Sequence, residues 1–192
     1  MSDPVSEQRA GSASPAAERP PGFLARLFPP APPLPGRPDP LAGFGYAGPA
    51  RPVVAGLYLL VRNPLAWVAP GIVWALAQSV DPRTLAGLIA SLVSFAALIS
   101  AGWFGWQRPP LFGAAAATLG VATRIVIGLV QAAAAGEPAV PPGTGPFELT
   151  GTLVAGLALY GLIGLLSGWY GGYLRRRQAQ VSAERQASTR RR

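Results

Sequence analysis

Four long apolar stretches, divided by short turns that hold most of the nearby charge, constrain this chain more than anything else in it. They cover residues 64–80, 85–106, 111–135 and 149–173. From Pro64 to Tyr173 there are 110 residues and six charged side chains: Asp81, Arg83, Arg108, Arg124, Glu137 and Glu148. Five of the six lie at or between the ends of the stretches, and only Arg124 lies inside one. About 20 apolar residues carry a helix across a ~30 Å hydrocarbon layer, and runs of this length exceed what a soluble core helix needs. The expected fold class is an all-α membrane protein built as a four-helix transmembrane bundle over residues 64–173.

Composition outside the bundle predicts two tails. Residues 1–52 contain thirteen prolines, and such a segment buries too little apolar surface to offset its ordering entropy. A disordered Pro-rich tail with local polyproline II is therefore expected. Two features interrupt it. Phe23, Leu24, Leu27 and Phe28 could form one apolar turn, and the run from Pro32 to Arg37 fits the PxxPxR form that aromatic grooves bind. In so Pro-rich a segment the plain linker is the favoured reading. Residues 53–63 are apolar but short, with Arg51 and Arg62 at the ends, and are read as an interfacial helix. The alternative is one long bent first span over residues 53–80, kinked at Pro64 and Pro70. Residues 174–192 form a short basic tail.

The net charge of +8 belongs to these flanks, since ten charges lie in residues 1–63 and eight in 174–192. All sixteen basic residues are Arg, a bias expected of a GC-rich bacterial genome. There is no Cys and no His. This removes disulfides, thiolate nucleophiles, iron–sulfur ligation and the usual proton shuttle, so no cofactor, metal site or enzymatic activity is expected. The first twenty residues are polar, which predicts no cleavable signal and leaves insertion to the internal spans.

Arginine placement predicts the orientation. With four spans, one face of the membrane carries Arg51, Arg62, Arg108, Arg175, Arg176 and Arg177, and the other carries only Arg83. The positive-inside rule then puts both termini on the cytoplasmic side of the cell membrane. Trp67, Trp103, Trp106, Trp169, Tyr170 and Tyr173 fall near the same ends, as an interfacial aromatic belt should. The six arginines are expected to anchor the membrane surface. Arg190, Arg191 and Arg192 add weak attraction to anionic lipid, and a tail without aromatics is not expected to bind nucleic acid.

Inside the spans, Arg124 is the sharpest candidate. It sits near mid-bilayer depth, where an Arg costs about 2.5–3.5 kcal/mol on insertion scales. Gly113, Ala117, Gly120, Arg124, Gly128 and Gln131 recur at three- and four-residue steps, so this stripe is expected to face the bundle. Tyr160, Ser94 and Gln131 are its expected polar neighbours, because no Asp or Glu lies inside a span. Gly120 and Gly128, with Gly164, Gly168 and Gly172 in the last span, suit close helix packing. Packing within the chain is favoured over a dedicated dimer or partner face. Two functions compete: a non-enzymatic interaction or accessory subunit, favoured by the missing catalytic groups, and an oligomeric channel or transporter for a small solute, an anion among the candidates, with Arg124 near the path. For Arg124 itself a structural role, bonding carbonyls or reaching outward, is the favoured reading.

Overall fold

The computed structural model describes residues 41, 43–138, 140 and 145–190. The Phe23 turn, the PxxPxR run, most of the Pro-rich tail and the final Arg191 and Arg192 lie outside the described residues. Among the described residues the chain is all-helical, with five helices: α1 (Arg51–Arg62), α2 (Leu65–Ala77), α3 (Leu85–Phe104), α4 (Pro109–Ala135) and α5 (Pro146–Arg190).

Three of these, α3, α4 and α5, are long and apolar enough to cross a membrane. The number rises to four if the bent pair α1–α2 counts as one span. The first apolar stretch by itself thus gives a helix shorter than a ~30 Å layer, and it crosses alone only where the layer thins to meet it. The 13 residues of α2 reach only about 20 Å, and the chain turns by 74° between α1 and α2. Asn63 and Pro64 make that corner. Pro64 has no N–H to continue the ladder of α1, and it suits the entry of the next helix. The corner is then stapled, as Trp67 Nε1 donates to the Leu60 carbonyl at 3.0 Å and Asn63 Nδ2 to the Phe104 carbonyl at 3.3 Å.

The opposite turn is equally legible in chemical terms. Thr84 caps α3 by accepting the Gly87 N–H at 3.0 Å, while the Asp81 carboxylate accepts the Arg83 N–H at 2.9 Å. Gly136 closes α4 in the left-handed conformation, φ +70°, and the Glu137 N–H returns to the Ala132 carbonyl at 2.9 Å. Only glycine takes that backbone shape without steric cost.

α4 and α5 form the most extensive pair, while α2 and α3 pack against both each other and that pair. The main core holds Trp74, Ala75, Ala97, Leu98, Ala101, Ala116 and Ala117. A second, smaller cluster of Leu59, Ala66, Trp106 and Phe112 lies beneath α1. Small residues dominate the first core because the backbones nearly touch. A Cβ added at Gly168 would stand 2.5 Å from the Pro109 carbonyl and 3.0 Å from the Gly113 Cα. Gly102 on α3 likewise abuts the backbone of Gly168. Such close approach supplies dispersion contacts, which are what hold helices together wherever lipid removes the hydrophobic drive between them.

The C-terminal segment is more than a short tail. α5 runs unbroken for 45 residues, about 67 Å, so it carries on as helix well beyond the last apolar stretch.

Candidate functional site: an arginine collar at one end of the bundle

The chain direction brings one end of every helix together. The corner of α1–α2, the C-terminus of α3, the N-terminus of α4 and the stretch of α5 after Gly168 meet there. All six arginines expected at one membrane face stand at this end. Among the described residues Asp81, Glu137 and Glu148 lie at the far end, so no carboxylate of the spans neutralises the collar.

Arg175 departs from its expected role as a surface anchor. Only 6% of its surface is exposed. Its Nη1 donates to the carbonyls of Trp103 (2.8 Å) and Gly105 (2.6 Å), and its Nη2 to that of Trp106 (3.1 Å). The cause lies in how α3 ends. The last carbonyls of a helix have no intrahelical donor, and they carry the negative end of its dipole. Asn63 takes the Phe104 carbonyl, and Arg175 takes those on either side. A planar guanidinium can span several acceptors at once, which an ammonium cannot. Arg175 stands seven residues, two turns, beyond Gly168 and so shares the face that glycine packs inward. That spacing is the signal by which the sequence could have singled it out of the Arg175, Arg176 and Arg177 triplet. Two donors remain without acceptors among the described residues, Arg175 Nε and Trp106 Nε1, both buried.

Arg108 ties α4 to α1, its Nη1 donating to the Pro52 carbonyl. Beside it opens a cavity of about 290 Å³ lined by Leu41, Phe44, Arg51, Pro52, Ala55 and Arg108. Phe44 is held against the ring of Tyr58, centroids 5.2 Å apart. Arg62 and Arg177 are exposed. The aromatic belt is split: Trp106 turns inward, 5% exposed, and Trp67 is half-buried. Trp169, Tyr170 and Tyr173 stay on the outside, their rings stacked at 6.3 and 6.1 Å.

The residues expected around Arg124 form no hydrogen bond with it among the described residues. Ser94 is buried and bonded elsewhere, accepting from Gln78 Nε2 at 3.1 Å and donating to the Ser91 carbonyl at 2.8 Å. Gln78, at the end of α2, was not singled out by the sequence pattern. Tyr160 meets Trp74 edge to face, centroids 5.2 Å apart, and Gln131 is exposed. Arg124 itself is half-buried and has no hydrogen bond or ion pair among the described residues.

Trp74 takes the place beside Tyr160 that the sequence pattern gives to Arg124. It is wedged against Gly120 of α4, where a Cβ would come within 2.5 Å of its ring, and against Tyr160 of α5. Gly113, Gly164, Gly168 and Gly172 all lie in close contact on the collar side of this wedge. Beyond it, Gly128, Gly151 and Gly156 have nothing within 4 Å of an added Cβ among the described residues, and neither has Gly161, level with the wedge beside Tyr160. The small-residue stripe of α4 is therefore packed over its first half and open over its second. A separate groove of about 430 Å³ between α2 and α3 is walled by apolar side chains, with Ser100 bonded to its own helix.

No family model, curated protein or solved structure matches this chain.

Proposed function

We propose that this protein is a non-catalytic subunit of a membrane assembly, crossing the cell membrane four times with both termini in the cytoplasm. It offers the open halves of α4 and α5 to a partner helix. The observation that carries this reading is the abrupt change in packing at Trp74. On one side the helices approach to backbone contact. On the other, three glycines line two apolar helices with no described backbone against them. A glycine in a helix interior costs about 1 kcal/mol relative to Ala, and in membrane helices that cost is usually offset by close packing. Here no packing partner stands among the described residues.

The test is a photo-crosslinking residue placed at Val154 or Leu157 in the native membrane, with Val93 on α3 as the control. A discrete adduct from α5 alone, either with a second polypeptide or with another copy, is the expected result. Absence of any adduct, together with purification in mild detergent as a lone monomer and no effect of deleting either tail, would remove the basis for the proposal.

A second reading rests on Arg124, a cation one turn beyond the wedge with no described partner. In an oligomer it would stand beside a path for a small anion. Flux of anions into liposomes should then disappear in Arg124→Ala while the protein still inserts. Unchanged flux, or none for any solute, dismisses the channel.

A further inference from the structure

We propose that the cavity between α1 and the start of α4 binds the phosphate of an anionic phospholipid. Arg51 and Arg108 would clasp the phosphate, and Leu41, Phe44 and Ala55 would receive the apolar atoms next to it.

Three observations converge on this site. The first is electrostatic: two guanidiniums line one concavity, and no carboxylate is among the residues that line it. Such a site attracts an anion and repels the quaternary amine of a zwitterionic headgroup. The second is geometric. The cavity, about 290 Å³, is close to the lower size of small-ligand pockets, roughly 300 Å³. Arg108 is already oriented by its bond to the Pro52 carbonyl, so its remaining N–H groups cost little to order. Pro109 and Pro110 remove two amides from the first turn of α4, so the donors for an anion must come from side chains. The third is placement. Ala55, Gly56 and Leu59 of α1 are buried against the bundle, whereas Val53, Leu57 and Val61 are exposed on the outside at four-residue steps. An apolar line on a helix that turns 74° away from α2 suits the headgroup–acyl boundary. The cavity at its N-terminus would then stand at phosphate level. A lipid, rather than a soluble phosphate, is favoured by the apolar wall of Leu41 and Phe44.

The proposal needs the collar to lie at a bilayer surface but is independent of partner docking on α4 and α5. It is tested by native mass spectrometry of the full chain released from nanodiscs containing phosphatidylglycerol and phosphatidylcholine in equal amounts. The wild-type protein should retain phosphatidylglycerol preferentially. Arg51→Gln should weaken that retention at least tenfold, and Arg51→Glu should abolish it, both with unchanged melting temperature because Arg51 is exposed. Arg62→Gln, which removes the same charge outside the cavity, should retain the lipid. Equal loss in Arg51→Gln and Arg62→Gln would mean diffuse surface charge and overturn the site. Equal retention of the two lipids would do the same, as would displacement by millimolar glycerol 3-phosphate, which would reveal a soluble ligand. Absence of a crosslinked partner on α5 would leave these outcomes unaffected.

Discussion

Arg175 is the residue on which one end of the bundle turns. Its three carbonyl acceptors come from the end of α3, about 70 positions away in sequence. Hydrogen bonds from a charged group contribute about 1.5–3 kcal/mol each, and removing one partner of a buried set leaves the others unsatisfied. Allowing for water entering the gap, Arg175→Ala should lower stability by about 2–4 kcal/mol, read as a fall in melting temperature in detergent. Arg175→Lys should recover only part of this, since one ammonium cannot reach both rows of carbonyls. Arg177→Ala, at an exposed position two residues on, should stay within about 0.5 kcal/mol of wild type. An Arg175→Ala protein as stable as Arg177→Ala would refute the cap. Trp106 makes the opposite case. Its buried Nε1 has no acceptor among the described residues, so Trp106→Phe should be neutral or stabilising by up to about 1 kcal/mol. Unfolding at clearly lower temperature would mean that the indole N–H is satisfied after all.

Among the elements, α4 and α5 each divide at the Trp74 wedge, and the same substitution has opposite consequences on its two sides. Gly168→Val would push a branched side chain into the Pro109 carbonyl and the Gly113 backbone. The helices must separate to admit it, at a cost of about 3 kcal/mol or more, since overpacking alone costs 1–3. Gly151→Ala and Gly156→Ala meet nothing within 4 Å and should gain up to about 1 kcal/mol from helix propensity. Thermal melts of the three variants in one detergent decide this, and a destabilised Gly156→Ala would show that the far halves close together in solution. If a partner helix docks there, the same alanines should weaken its capture while stabilising the isolated chain. The corner between α1 and α2 belongs to this scale too. Proline stops the first helix, but the sequence left open whether residues 53–63 continue a span or turn aside. The 74° bend is held by Trp67 and Asn63 reaching across to carbonyls outside their own helix.

For the whole molecule, orientation is the property that the number of crossings controls. Four crossings put both termini on one face of the membrane, whereas three put them on opposite faces. The absence of native cysteine makes this directly measurable, because any introduced cysteine is the only one present. Ser188→Cys and Gly45→Cys should both be protected from an impermeant maleimide in intact cells, and Ser79→Cys should be labelled. Labelling of Gly45→Cys without Ser188→Cys would mean that α1 and α2 form a re-entrant pair and not a span. A helix of about 67 Å must also reach well past a ~30 Å layer, so α5 carries its polar end away from the collar as a rod.

The four apolar stretches, their turns and the gathering of arginine at one end follow from the sequence alone. The reason is that burial in hydrocarbon, proline geometry and charge placement act locally along the chain. The caps at Thr84 and Gly136 are equally local. Which glycines meet a neighbour, which arginine turns inward and where the bundle opens were decided by tertiary structure. Gly128 and Gly120 have the same spacing relative to Arg124 on α4, but only Gly120 faces a tryptophan from another helix. Arg175 and Arg177 differ by two positions, yet one caps α3 and the other meets solvent. Periodicity assigns a residue to a face of its own helix. What stands opposite that face depends on chain segments tens of residues away, and only their packing supplies it.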